Sequence, residues 1–168
     1  LDFENAAYIR DRMLAIETAS QKQKVSNISE NNIDVIGMAK SELEVCIEIF
    51  YVRGSKMIGR EHYFFDNLGD MDDGEIISGF IKQYYMDNLN IPNKIMVSRE
   101  LEDEKALGEW LGSKTTHKVT IHSPKKGTKL RFVEMADKNS KVTLENKEKT
   151  IESILVELKD KLQMDKLP

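Results

Sequence analysis

Residues 45–65, VCIEIFYVRGSKMIGREHYFF, decide the fold. Val45, Ile47, Ile49 and Tyr51 alternate with Cys46, Glu48, Phe50 and Val52, the period of two that sends successive side chains to opposite faces of a strand. Gly54-Ser55 supplies a turn, and residues 57–65 run extended again, so the stretch reads as a β-hairpin. Upstream, IDVIGMA at residues 33–39 predicts another strand, set off by the polar Lys40-Ser41-Glu42. Three consecutive antiparallel strands follow from this reading.

Beyond the loop at 69–74 the period changes. Ile76, Ile77, Phe80, Ile81, Tyr84 and Tyr85 repeat as pairs four residues apart, which buries one wide helical face, with Asp72 or Asp73 as N-cap. Ile91-Pro92-Asn93 breaks the pattern and KIMVS at 94–98 reads as a short buried strand. Residues 101–112 form a helix with Leu107, Trp110 and Leu111 on one side. HKVTIH at 117–122 predicts another strand, 123–127 a turn, and 128 to about 143 a helix. A last, separate amphipathic helix carries Ile151, Ile154, Leu155, Leu158 and Leu162. From residue 33 the order is β-β-β-α-β-α-β-α, an α/β (α+β) arrangement: a mixed sheet with helices on its faces and the later strands parallel. This is the element order of the ribonuclease H fold.

Before it, Phe3, Ala6, Ala7, Ile9, Met13, Leu14 and Ile16 lie close to a 3.6-residue period, with Glu4, Arg10, Asp11 and Arg12 outside the stripe. An amphipathic helix is expected over residues 1–26. The polar run QKQKVSNISE then leads into a linker at 27–32, and a helix this short needs its stripe packed on something.

The 168 residues are 40% hydrophobic and 32% charged, with 25 Lys and Arg against 29 Asp and Glu. That length suits one domain with an appendage, and the charge excess points to heavily solvated helices. No apolar run approaches the roughly 18–20 residues that cross a bilayer, so no membrane association is expected. The lone Cys46 offers neither a disulfide nor a Cys-based zinc site, which fits a reducing cytoplasm. The start at Leu1-Asp2-Phe3, without Met, leads us to expect a longer parent chain.

Few residues suggest chemistry. A two-metal nuclease centre of the ribonuclease H type needs carboxylates on the first strand, the first helix and the end of the fourth strand, holding ions about 4 Å apart. Asp34 sits in the first strand, but the fourth ends in Ser98-Arg99 and the first helix offers Glu75 only at its extreme N-terminus. The plain alternative is that Asp34 caps or solvates a strand edge. His117 and His122, five apart on one predicted strand, point to opposite faces, and His62 has no partner nearby. No nucleophile elbow or Gly-rich phosphate loop appears. Charge, however, is segregated: residues 111–133 contain no Asp or Glu, while Lys114, Lys118, Lys125, Lys126, Lys129 and Arg131 supply six cations. Lys125, Lys126 and Lys129 lead into a helix N-terminus, which favours phosphate. A solvated face, or a patch docking an acidic neighbouring domain, is the alternative.

Leu1-Asp2-Phe3-Glu4-Asn5-Ala6-Ala7-Tyr8-Ile9-Arg10-Asp11-Arg12-Met13 resembles the second half of the UVR motif, a helical hairpin of the bacterial excision repair proteins UvrB and UvrC. Asp34-Val35-Ile36-Gly37, then FYVRGSKMIGREHYFF at 50–65, Ile91-Pro92 and Glu109-Trp110-Leu111 resemble the central part of UvrC. The resemblance covers nearly the whole chain. It implies an excision repair nuclease subunit whose GIY-YIG domain and C-terminal ribonuclease H-like endonuclease domain both lie outside this sequence. It implies UvrB as partner, bound through Phe3, Ala6, Ala7, Ile9 and Met13, with Arg10 and Asp11 as the motif's polar pair, and damaged DNA within the UvrB–DNA complex. It implies a noncatalytic ribonuclease H-like domain at 33–146, and a C-terminal helix and linker at 147–168. No catalytic residue, metal ligand or cofactor is implied, and Lys125, Lys126, Lys129 and Arg131 are the expected DNA contacts. Two alternatives stay open: a divergent two-metal nuclease using Asp34 and Glu75, and a scaffold without DNA affinity.

Overall fold

The computed structural model describes residues 32–67 and 69–162. The expected N-terminal helix, and with it Phe3, Ala6, Ala7, Ile9, Arg10 and Met13, lies outside the described residues. Within them the elements run β1 (Asn32–Lys40), β2 (Glu44–Arg53), β3 (Lys56–Asp66), α1 (Asp73–Asp87), β4 (Lys94–Val97), α2 (Glu104–Ser113), β5 (Thr120–His122) and α3 (Gly127–Leu162). The order is the one that the periodicities predict. The strands form one sheet ordered β3-β2-β1-β4-β5. Both neighbouring pairs among β1, β2 and β3 are antiparallel, whereas β1 with β4 and β4 with β5 are parallel.

Alternation along the strands builds two cores. Ile36, Met38, Val45, Ile47, Ile49, Ile95 and Val97 meet Ile77, Phe80, Ile81 and Tyr85 of α1 and Leu107 and Leu111 of α2 on one face. On the other face Val35, Phe50, Val52 and Met96 meet Val133 and Ala136 of α3. Each fully buried aliphatic or aromatic side chain contributes about 1.5–3 kcal/mol, so the first, larger cluster dominates stability. The hairpin turn puts Gly54 and Ser55 at φ 56° and 67°, the left-handed pair of a two-residue turn whose twist matches its strands.

Two expectations are corrected. The helical patterns before Thr143 and after Ile151 are one helix of 36 residues. The intervening ENKEK is polar but contains neither Gly nor Pro, and nothing in it stops propagation. Its buried positions end at Leu144 and an ion pair from Lys147 to Glu44 follows. After that, Ile151, Ile154, Leu155, Leu158 and Leu162 are exposed. The strand predicted at 117–122 is only three residues long. Thr115 closes a turn on His117, accepting from its N–H and donating to its carbonyl, so His117 precedes the strand.

The tightest constraint is at Gly37. A Cβ there would lie 2.4 Å from the Ala136 carbonyl carbon and from the Asp137 nitrogen, so β1 and α3 touch backbone to backbone. Gly37→Ala is expected to cost about 2–3 kcal/mol or more, read as a lower urea midpoint, because neither backbone can retreat without opening the core.

Candidate functional site

In a sheet of this order the chain leaves β1 toward β2 on one side and β4 toward β5 on the other. The crevice beyond the carboxyl ends of β1 and β4 is where open α/β sheets bind ligands. Four charged side chains fill it. Arg99, the second residue after β4, places Nε 3.1 Å from Asp73 Oδ2 and Nη1 2.7 Å from Asp137 Oδ2. Lys40, the last residue of β1, lies 2.6 Å from Asp73 Oδ1. Asp137 Oδ1 accepts the Met38 N–H at 2.9 Å. The Lys40 ammonium, with Arg99 beside it, holds the Asp73 carboxyl below the usual carboxylate range against the opposing effect of burial.

The N-terminus of α1 faces the same place. Asp72 caps it, accepting from Gly74 N–H at 3.2 Å, while Glu75 accepts from Asp72 N–H at 3.3 Å, a reciprocal capping box. Glu75, the sequence candidate for a metal ligand, is therefore turned back onto its own helix.

Asp34 is elsewhere. It is buried on the central strand, which corrects the picture of a carboxylate at a strand edge. Its Oδ1 lies 3.0 Å from Arg53 Nη1 and its Oδ2 accepts from the Tyr85 hydroxyl at 2.5 Å. Burial pushes its pKa up, opposed by the Arg53 charge and by both hydrogen bonds. Arg53 also donates to the carbonyls of Ile33 and Val52, so the cluster is internally satisfied. Tyr85 stands ten residues beyond Glu75 in α1, about 15 Å along the axis at 1.5 Å per residue. Asp34 and Glu75 thus cannot share a pair of ions about 4 Å apart. The donor set does not fit the metals that this fold can carry: two of its corners are engaged in internal bonds, and the third is an arginine.

The histidines also stay apart. His62 is edge-on to Phe64 on β3, His117 lies before β5, and His122 ends it. Among the described residues no three His, Cys, Asp or Glu gather to hold an ion.

The basic stretch divides. Lys114 donates to the carbonyls of Tyr85 and Met86 at 3.1 and 3.0 Å and lies over the Trp110 ring, so it closes the C-terminal end of α1. Lys125 pairs with Glu100 at 2.6 Å in an exposed contact. Lys126, Lys129 and Arg131 are exposed at the start of α3 and make no ion pair among the described residues. Asp73, Arg99 and Asp137 were not singled out as a group by the sequence; its one signal was a cation at the strand end where an acid was sought.

A match to known proteins decides the family. The family described as UvrC Ribonuclease H-like domain matches residues 32–147. The chain belongs to the UvrC family. It is 41% identical over 174 residues to UvrABC system protein C of Clostridioides difficile strain 630, covering 99% of this chain and 29% of that protein. Against the same protein of Clostridium perfringens strain 13 it is 42% identical over 175 residues, covering 100% and 28%. The chain therefore spans less than a third of the length of these UvrC relatives. Among solved structures, human endonuclease V aligns with a TM-score of 0.36 at 7% identity, over 61% of this chain and 52% of that one. A likeness this distant says nothing about function.

One buried group lies outside these sites. Glu48, opposite Gly37 on β1 and His62 on β3, is buried, and its Oε2 has no hydrogen-bond partner among the described residues. Burial pushes its pKa above the ordinary 4.5, opposed by the Arg60 charge. A carboxyl whose folded pKa is raised favours the native state below its unfolded pKa, and that advantage is lost as pH rises through the folded value. Glu48→Gln is expected to be more stable than the parent near neutral pH, the gap closing toward about pH 4, as measured by urea unfolding across that range.

Proposed function

We propose that this chain is a noncatalytic central module of the UvrC subunit of the bacterial excision repair nuclease, working in the cytoplasm. It joins a UvrB-binding motif to nuclease domains carried elsewhere in the longer protein, and it contacts DNA through its phosphates. The observation that carries the noncatalytic reading is Arg99 in the strand-end crevice, salt-bridged to both nearby carboxylates. A two-metal mechanism needs acids free to bind cations there, and these acids already hold one.

Residues 1–26 form the UvrB-binding helix of this proposal, with 27–32 as linker, 33–146 as the ribonuclease H-like module and 147–168 leading toward the endonuclease domain. Phe3, Ala6, Ala7, Ile9 and Met13 supply the apolar contact to UvrB, and Arg10 its polar edge. The DNA contact is Lys125, Lys126, Lys129 and Arg131. Cations in the first turn of a helix oppose its dipole, and α3 has no acid there to offset them. A bound phosphate removes that conflict. Lys125 is no obstacle, since its contact with Glu100 is a solvent-exposed pair, screened by water and readily exchanged.

Two measurements test the reading. Incubated with duplex DNA in Mg²⁺ or Mn²⁺, the chain is expected to produce no cleavage; cleavage abolished by Asp34→Asn would instead establish the divergent nuclease. In fluorescence anisotropy, replacing Lys125, Lys126, Lys129 and Arg131 by Gln is expected to weaken duplex binding. The slope of log K against log salt should flatten by about 3 to 4, near 0.9 for each phosphate that the variant no longer neutralises. An unchanged slope removes the DNA contact and leaves a scaffold.

A further inference from the structure

We propose that the part of α3 beyond its core, residues 147–162, is a pairing surface for a second copy of this chain, which joins it as an antiparallel two-helix coiled coil. The pairing goes beyond the noncatalytic reading and depends on neither UvrB nor DNA. The buried positions of α3 end at Leu144, and its ion pair to the sheet follows at Lys147. Ile151, Ile154, Leu155, Leu158 and Leu162 come next, each between 39% and 63% exposed, and no element among the described residues covers them. A single exposed leucine needs no explanation, but a row of large apolar side chains on a projecting helix marks a contact surface.

The spacing says what kind of contact it is. Ile151, Leu155, Leu158 and Leu162 follow one another at four, three and four residues, the seam of a coiled coil, with Leu155 and Leu162 at its a positions and Ile151 and Leu158 at its d positions. Laid antiparallel, a faces d, so Leu155 meets Leu158 of the second copy and Ile151 meets its Leu162, each contact occurring twice by symmetry. The flanking charges fit the same register. Glu152 and Lys159 both stand at e, and e faces e in an antiparallel pair, so the Glu152 of each copy meets the Lys159 of the other. Neither is in an ion pair among the described residues, whereas the neighbouring Glu157 and Lys161 pair with each other along the helix at 2.9 Å. A slip of one heptad sets Glu152 against Glu152 or Lys159 against Lys159 and gives up part of the apolar seam, which fixes the register. A parallel pair would put Glu152 opposite Lys147, which Glu44 and the Phe64 ring already hold. Two heptads bury less than the roughly 800 Å² per partner of a stable complex, so the pairing is weak and fills only at high concentration.

The test is sedimentation equilibrium of the whole chain under reducing conditions, from micromolar to millimolar concentration. The mass is expected to rise toward twice that of the monomer, with a dissociation constant on the order of 100 µM. Glu152→Lys or Lys159→Glu alone sets like charges opposite each other twice and is expected to weaken the dimer by about fivefold to tenfold, while Glu152→Lys/Lys159→Glu restores it to within about twofold of the parent. Leu155→Glu/Leu158→Glu should leave a monomer. None of these side chains belongs to the core, and an unchanged circular dichroism spectrum at low concentration checks that each variant is folded. A chain that stays monomeric throughout overturns the proposal, whichever other segment covers the stripe. So does a dimer indifferent to Lys159→Glu, or one that the double charge reversal fails to restore. A dimer that survives Leu155→Glu/Leu158→Glu is built elsewhere on the chain and also counts against it. DNA cleavage or the loss of DNA binding would bear on the noncatalytic reading and leave the pairing untouched.

Discussion

One guanidinium joins the three layers of this domain. Arg99 leaves β4 and meets Asp73 from the helix on one face and Asp137 from the helix on the other. The arrangement answers a backbone need as well. β4 ends at Val97, and the Ser98 N–H makes the last bond to β1, at the Ile36 carbonyl. The Met38 N–H, one step further along β1, is taken by Asp137, so the carboxylate continues the sheet where the strand stops. These groups are only partly buried, and each ion pair is individually weak. Their importance is geometric: Asp137 reaches Met38 only because Gly37 lets α3 come down to backbone contact.

The Asp34 cluster solves a different problem. A carboxylate buried on a central strand is costly unless paired and hydrogen-bonded, and here Arg53 and Tyr85 do both. Tyr85 comes from α1, so the pairing fixes that helix against β1 at its far end, as Asp73 does at its near end. Asp34 is therefore best understood as a registration device for the helix.

Much of the fold was legible because it is written in local periods. Alternation at 45–52, the turn at Gly54-Ser55 and the paired apolar residues of α1 each specify an element within a few residues. The long-range pairs were not legible. Arg99 and Asp137 are 38 residues apart, Asp34 and Tyr85 51, and no local pattern announces that either pair meets. The same limit hid the setting of Asp34, which reads as capping or solvating a strand edge until Arg53, arriving from β2, is seen beside it. The false break in α3 had another cause. Loss of the apolar stripe marks where a helix leaves its core, and helix propensity decides whether it ends there.

The net charge of −4 conceals how the cations are used. Lys114 lies against the C-terminal carbonyls of α1, where the helix dipole favours it, so its charge has a structural destination. Lys40 and Arg99 are neutralised by the crevice carboxylates. Lys126, Lys129 and Arg131 have neither kind of partner among the described residues, and the first two sit where the α3 dipole disfavours them. Folding alone gives no reason for that placement. A phosphate at the same turn gives one, since it would neutralise the lysines and accept from the free amides of the helix start.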